Sequence, residues 1–153
     1  EAYESFVQTG NYVEDFDDDK LRFIAVNTQG GVNDENWYLI SDWKIEQDTI
    51  EFVRSSLDEA EKKGYSAYIL GHMPMTRGLS RASERYSVLI DRYQNTIRGQ
   101  FYGHTHHDEY KITRNVEDDK PNGIEWICPQ ASISDKNPAF RVYKANKDTK
   151  EVL

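Results

Sequence analysis

The chain has 153 residues, 37% hydrophobic and 30% charged, a balance that suits one globular domain with a buried core. Nineteen basic residues against 27 acidic ones give a net charge of -8, which repels nucleic-acid backbones and argues against binding of a nucleic-acid polymer. A phosphate-bearing substrate stays open, because a bound divalent cation reverses the sign of the local field.

No apolar run approaches the roughly 18 residues that a membrane span requires. The chain opens at Glu1 with neither an initiator Met nor a signal-type segment, as a mature form or a proteolytic piece would. Cys128 is the single cysteine. It cannot close an internal disulfide and is expected as a buried, inert thiol. No Asn-x-Ser/Thr acceptor occurs, which leaves secretion open.

Residues 1–20 read as an acidic loop that ends in a solvated turn, Glu14-Asp15-Phe16-Asp17-Asp18-Asp19-Lys20. It lacks the turn glycine and distal glutamate of a calcium loop. Residues 21–27 read as a mostly buried strand. The pattern then predicts a helix over 49–63, with Asp48 as cap and Glu51 completing a capping box. Ile50, Val53, Leu57 and Ala60 share its apolar face, and Gly64 ends it. Residues 67–70 form a short strand leading into Gly71-His72-Met73-Pro74. A second helix is predicted over 84–94, capped by Ser83, with Tyr86, Leu89, Ile90 and Tyr93 as its stripe. A strand follows over 97–102 and runs into Gly103-His104-Thr105-His106-His107. Further strands are predicted over 109–113, 124–128 and 140–144, with a turn at Asn122-Gly123. The order implies parallel crossover units followed by an antiparallel end, an α/β (or α+β) mixed sheet. There is no internal repeat and no linker.

All four histidines of the chain fall in the two loops after predicted strands, where open α/β sheets gather their ligand chemistry. If the backbone there is extended, His104 and His106 point the same way and His107 the other, which leaves His107 outside a ligand set. Imidazoles at His72, His104 and His106 suit a metal such as zinc. Asp108 is a candidate carboxylate to orient one of the rings.

At these residues the chain resembles the calcineurin-like metallophosphoesterases, whose last two motifs are Gly-His after a strand and Gly-His-x-His. Here they stand as Gly71-His72 and Gly103-His104-Thr105-His106. The closer resemblance is to the acid sphingomyelinase-like phosphodiesterase branch. It is carried by Ile69-Leu70-Gly71-His72-Met73-Pro74, by residues 100–110, and by Asn137-Pro138-Ala139-Phe140-Arg141-Val142-Tyr143. Residues 21–28 resemble the strand after that family's central motifs. The family's earlier motifs, Asp-x-His, Gly-Asp and Gly-Asn-His, are absent from this sequence.

The resemblance implies the C-terminal half of a four-layer αββα sandwich, with residues 1–153 as part of one catalytic domain and its N-terminal half outside this chain. It implies two divalent metals, zinc first and manganese or iron as alternatives. His72 and His104 would serve one metal and His106 the other, and the catalytic groups would lie in the other half. The implied activity is hydrolysis of a phosphodiester, either a sphingomyelin-like phospholipid or a nucleotide-type diester, in a secreted or lysosomal setting. The alternatives are a non-catalytic metal-binding module and an inactive fragment.

Overall fold

A computed structural model describes residues 2–29, 44–77, 80–133 and 137–153. Helix α1 (Ala2–Thr9) leads into β1 (Tyr12–Phe16), a one-turn 3-10 helix at Asp17–Asp19, and β2 (Leu21–Ala25). Helix α2 (Lys44–Lys63), β3 (Ser66–Leu70), α3 (Ser80–Arg92) and β4 (Ile97–Tyr102) follow, then the β5 (Glu109–Arg114) and β6 (Pro121–Ile127) hairpin.

These strands form one mixed six-stranded sheet in the order β1-β2-β3-β4-β6-β5. The β2–β3, β3–β4 and β4–β6 pairs are parallel, and the two outer pairs are antiparallel. The mixed α/β class and the parallel-then-antiparallel order therefore match the sequence reading, as a partial α/β sandwich.

One sheet face carries Ile24, Ala67, Ile69, Tyr102 and Ile127 into a core with Val53, Leu57 and Ala60 of α2 and Tyr86, Leu89, Ile90 and Tyr93 of α3. The helical stripes recur every three or four residues and so lie along one side of each helix. Helix α2 stops where Gly64 takes a φ of 69°. The Gly64 amide donates to Glu61 O and the Tyr65 amide to Ala60 O, so two of the last four carbonyls of the helix are satisfied.

The opposite face is an aromatic stripe. Neighbouring rings lie 4.9 Å apart for Phe16–Phe23, 5.5 Å for Phe23–Tyr68 and 5.4 Å for Tyr68–Phe101. Trp126 and Tyr110 continue it at 6.0 Å. The C-terminal segment covers part of it. Tyr143 packs 4.9 Å from Phe101, and the Tyr68 hydroxyl donates to Lys150 O at 2.6 Å. Phe16 and Tyr110 stay exposed at the two ends.

Several sequence expectations change. Residues 2–9 and 12–16 are a helix and a strand rather than loop. Strand β1 is hidden in sequence because its inward position 15 is an aspartate, which lies directly across from Arg22. Helix α2 begins at Lys44, so Asp48 and Glu51 sit inside it. They form ion pairs with Lys44 and Arg54 instead of a capping box. Helix α3 begins at Ser80, so Ser83 is not its cap, and the Ser83 hydroxyl donates to Met75 O at 3.0 Å. Asn122 and Gly123 lie within β6. The turn falls earlier, where the Asn115 side-chain oxygen accepts the Glu117 amide at 2.9 Å. Residues 140–144 join no ladder. They contribute the packing of Tyr143 and the Arg141 ion pair with Asp108. Cys128 is exposed rather than buried, because β6 ends at Ile127 and the thiol leaves the sheet there.

The Asp15–Arg22 pair stands out energetically. Arg22 is buried, and its Nε and Nη2 donate to the two Asp15 oxygens at 2.6 and 2.8 Å. Its Nη1 reaches Glu59 at 2.7 Å. The Arg22 bonds, aided by Lys63 and opposed by burial, bring the Asp15 carboxyl down to about 2 from an ordinary 3.8. A depressed acid pKa stabilises the fold fully above the unfolded value, and that contribution disappears as pH falls through the folded one. Asp15→Asn is expected to lower stability at neutral pH by about 1–2 kcal/mol. The variant should also lose much of the acid dependence that the wild type shows between about pH 4 and about pH 2. Urea melts across that range measure both, and parallel pH curves for the two proteins would refute the assignment.

Candidate functional site

Strands β3 and β4 are parallel neighbours, so their C-terminal ends release the chain on the same sheet edge. Gly71-His72 leaves β3 there and Gly103-His104 leaves β4. The His72 and His104 rings meet edge to face, 5.5 Å between centroids at 87°. Residues 32 positions apart in sequence (104 − 72) thus form one imidazole pair.

Groups at the ends of β2 and β4 hold the backbone around His72. The Gly71 amide donates to Phe101 O at 3.0 Å, and the Gly103 amide donates to His72 O at 2.8 Å. The Met73 amide donates to the buried Thr28 hydroxyl at 2.9 Å. Position 71 has no room for a side chain. A Cβ there would lie 2.9 Å from the Tyr102 ring and 3.0 Å from the Thr28 methyl. The Tyr102 ring is itself fixed, since its hydroxyl is 2.8 Å from that of Tyr86, which donates to Gln100 at 2.8 Å. Burial raises both phenol pKa values, Tyr102 well above the ordinary value, so the hydroxyls keep their protons.

The premise of an extended backbone at the second loop does not hold. His104 has a φ of 78° and His106 a φ of 62°, both left-handed. The Thr105 amide donates to Gly103 O at 3.0 Å, closing the chain tightly on itself. Strand alternation therefore says nothing about which way His106 or His107 faces. Non-glycine residues in this region cost on the order of 1–3 kcal/mol each and concentrate at functional sites. His104 is half-buried, while His72, His106 and His107 are exposed. Asp108 forms an ion pair with Arg141. The Arg141 guanidinium lies 5.4 Å from the Trp126 ring centre and 5.8 Å from that of Tyr143. No signal in the sequence pointed to Thr28 or Tyr102 as supports of His72. They emerge only from the packing on Gly71.

The imidazole pair fits part of a metal shell. Its donors are of the right type for zinc, and the loop backbone is held by hydrogen bonds and packing. Among the described residues no group of three or more His, Cys, Asp or Glu side chains is placed to hold a metal ion. A metal held by this pair would therefore need further ligands. Among them, too, no helix is long and apolar enough to cross a membrane.

Fold and site define a mixed α/β protein with paired imidazoles at the ends of adjacent parallel strands. No family model matches the chain. Among curated proteins it is similar to sphingomyelin phosphodiesterase of Bos taurus, 32% identical over 126 residues that make up 81% of this chain and 20% of that protein. Sphingomyelin phosphodiesterase 2 of Caenorhabditis elegans is 32% identical over 129 residues, 81% of this chain and 21% of that protein. Cyclic GMP-AMP phosphodiesterase SMPDL3A of Homo sapiens is 28% identical over 109 residues, 61% of this chain and 24% of that protein. The chain is thereby related to the acid sphingomyelinase-like phosphodiesterase family. It spans about a fifth of the length of the sphingomyelin phosphodiesterases it matches.

Proposed function

We propose that this chain is the histidine-bearing part of a metal-dependent phosphodiesterase, with His72, His104 and His106 as metal ligands. The observation that carries the reading is the His72–His104 ring pair on one sheet edge, joined to relatives named for phosphodiester hydrolysis. A calcineurin-like centre of two divalent ions, zinc first by ligand type, would supply an activated water and charge stabilisation on the phosphoryl oxygens. The residues of this chain hold and orient. His104 leans edge-on against His72, and the Gly103 amide fixes the His72 carbonyl. The left-handed turns at His104 and His106 set the direction of the second loop. The substrate class we assign is a phosphodiester of the phospholipid-headgroup or nucleotide type, and the general acid lies outside these residues.

His104→Ala in the complete enzyme is expected to abolish turnover of a chromogenic phosphodiester and to lower its zinc content. His107→Ala should retain most of both. A His107→Ala enzyme that loses zinc as fully as His104→Ala would remove His107 from the role of bystander. Zinc bound by the wild type without hydrolysis would favour a metal-binding module instead.

A further inference from the structure

Glu125 is fully buried on the helix-facing side of β6. An ionised carboxylate buried there is costly unless donors reach it. Thr76 supplies two of them, its hydroxyl and its amide, the latter 3.3 Å from Glu125 Oε1. The Thr76 hydroxyl in turn accepts from Lys111 Nζ at 2.8 Å, and Lys111 also reaches Thr76 O at 3.3 Å. These contacts link distinct parts of the site. Thr76 lies four residues after His72, in the short 3-10 turn at Met75–Arg77. Lys111 lies in β5, which begins at Glu109 directly after the His104–His107 loop. Strand β6, which carries Glu125, pairs with both β4 and β5.

We propose that Lys111, Thr76 and Glu125 form a latch that sets the spacing between the His72 loop and the His104 loop. All three are positioning residues. Lys111 donates to the Thr76 hydroxyl, which donates to Glu125, so one directed chain of hydrogen bonds runs from one loop's exit strand, through the other loop, into the core. The Lys111 ammonium at the outer end makes its bond to Thr76 stronger than a neutral one. The buried carboxylate gives the latch a fixed anchor. The metal role of the latch rests on the reading of the histidines as ligands. Its mechanical role does not.

Two readouts separate these in the complete enzyme. Thr76→Val keeps the side-chain shape and removes the hydroxyl. It is expected to raise the zinc concentration for half-maximal turnover on the order of tenfold, because the His72 loop is no longer held at its spacing from the His104 loop. Turnover at saturating zinc should largely return, and Thr76→Ser should restore the wild-type curve. Independently of metal, exchange at the Gly103 amide, which bonds the His72 carbonyl, should speed up in Thr76→Val. Lys111→Met, a change at an exposed side chain that leaves the core intact, should shift both readouts the same way by a smaller factor, and it decides the matter if Thr76→Val does not fold. Wild-type zinc dependence and Gly103 exchange in the folded variants would overturn the latch and leave the phosphodiesterase reading standing. A wild-type enzyme without zinc dependence would sink that reading instead, and Gly103 exchange alone would then decide the latch.

Discussion

The 153-residue chain on its own is expected to hydrolyse a chromogenic phosphodiester negligibly, and to hold at most one weakly bound metal. Two dications about 3.5–4 Å apart repel strongly, and a bridging carboxylate normally offsets that charge. Neutral imidazoles cannot. Asp-x-His, Gly-Asp and Gly-Asn-His are absent from the sequence, and the described residues offer no three-ligand cluster. The aromatic sheet face argues the same way from packing. Phe16 is 44% and Tyr110 60% exposed at its two ends, apolar surface that a packing partner can cover. We expect the other half of the domain to cover it and to bring the missing carboxylates to the histidines. Mixing this chain with a polypeptide that carries the remaining domain residues, zinc supplied, should therefore restore both turnover and tight metal binding. Robust hydrolysis by the isolated chain, abolished in His104→Ala, would falsify the dependence on a second half.

The sequence showed these things unevenly, for physical reasons. Strand β4 and the apolar stripes of α2 and α3 were legible because periodic burial is a local pattern. The paired His72 and His104 loops were legible because post-strand glycine and histidine are local too. What escaped depends on distant partners. The start of α2 contains Glu46, which is buried and faces Arg85 of α3 at 3.3 Å. No window around residue 46 reveals that partner, so the helix is read as starting late. Strand β1 was hidden for the same reason, since Asp15 becomes an inward residue only opposite Arg22. At residues 140–144 the alternating pattern is present, but Tyr143 satisfies it by packing on rings across the sheet rather than by pairing. Strand geometry is what the sequence around the loop histidines suggests, and their left-handed turns defeat it. The sequence motif located the loop, while its direction comes from backbone angles that the residue types do not specify.

The two glycines ahead of the histidines look equivalent in sequence, and the structure separates them. Gly71→Ala is expected to be severe. Its new methyl would meet the Tyr102 ring at 2.9 Å and the Thr28 methyl at 3.0 Å. Neither can give way easily. Tyr102 is 2% exposed and tied to Tyr86, and Thr28 is 1% exposed and holds the Met73 amide. The backbone of residues 71–73 must move instead, taking His72 away from His104. Overpacking of this kind costs about 1–3 kcal/mol. A shift near 1 Å at a ligand can lower turnover about a hundredfold. At Gly103 a Cβ would lie 3.8 Å from His72 Nδ1 and 3.9 Å from the Cys128 sulfur, ordinary contact distances. Gly103→Ala should therefore melt near the wild-type temperature and keep most of its turnover in the complete enzyme. Thermal melts together with turnover at saturating zinc compare the pair. Equal losses in the two variants would mean that the clamp of Thr28 and Tyr102 on Gly71 does not set the position of His72.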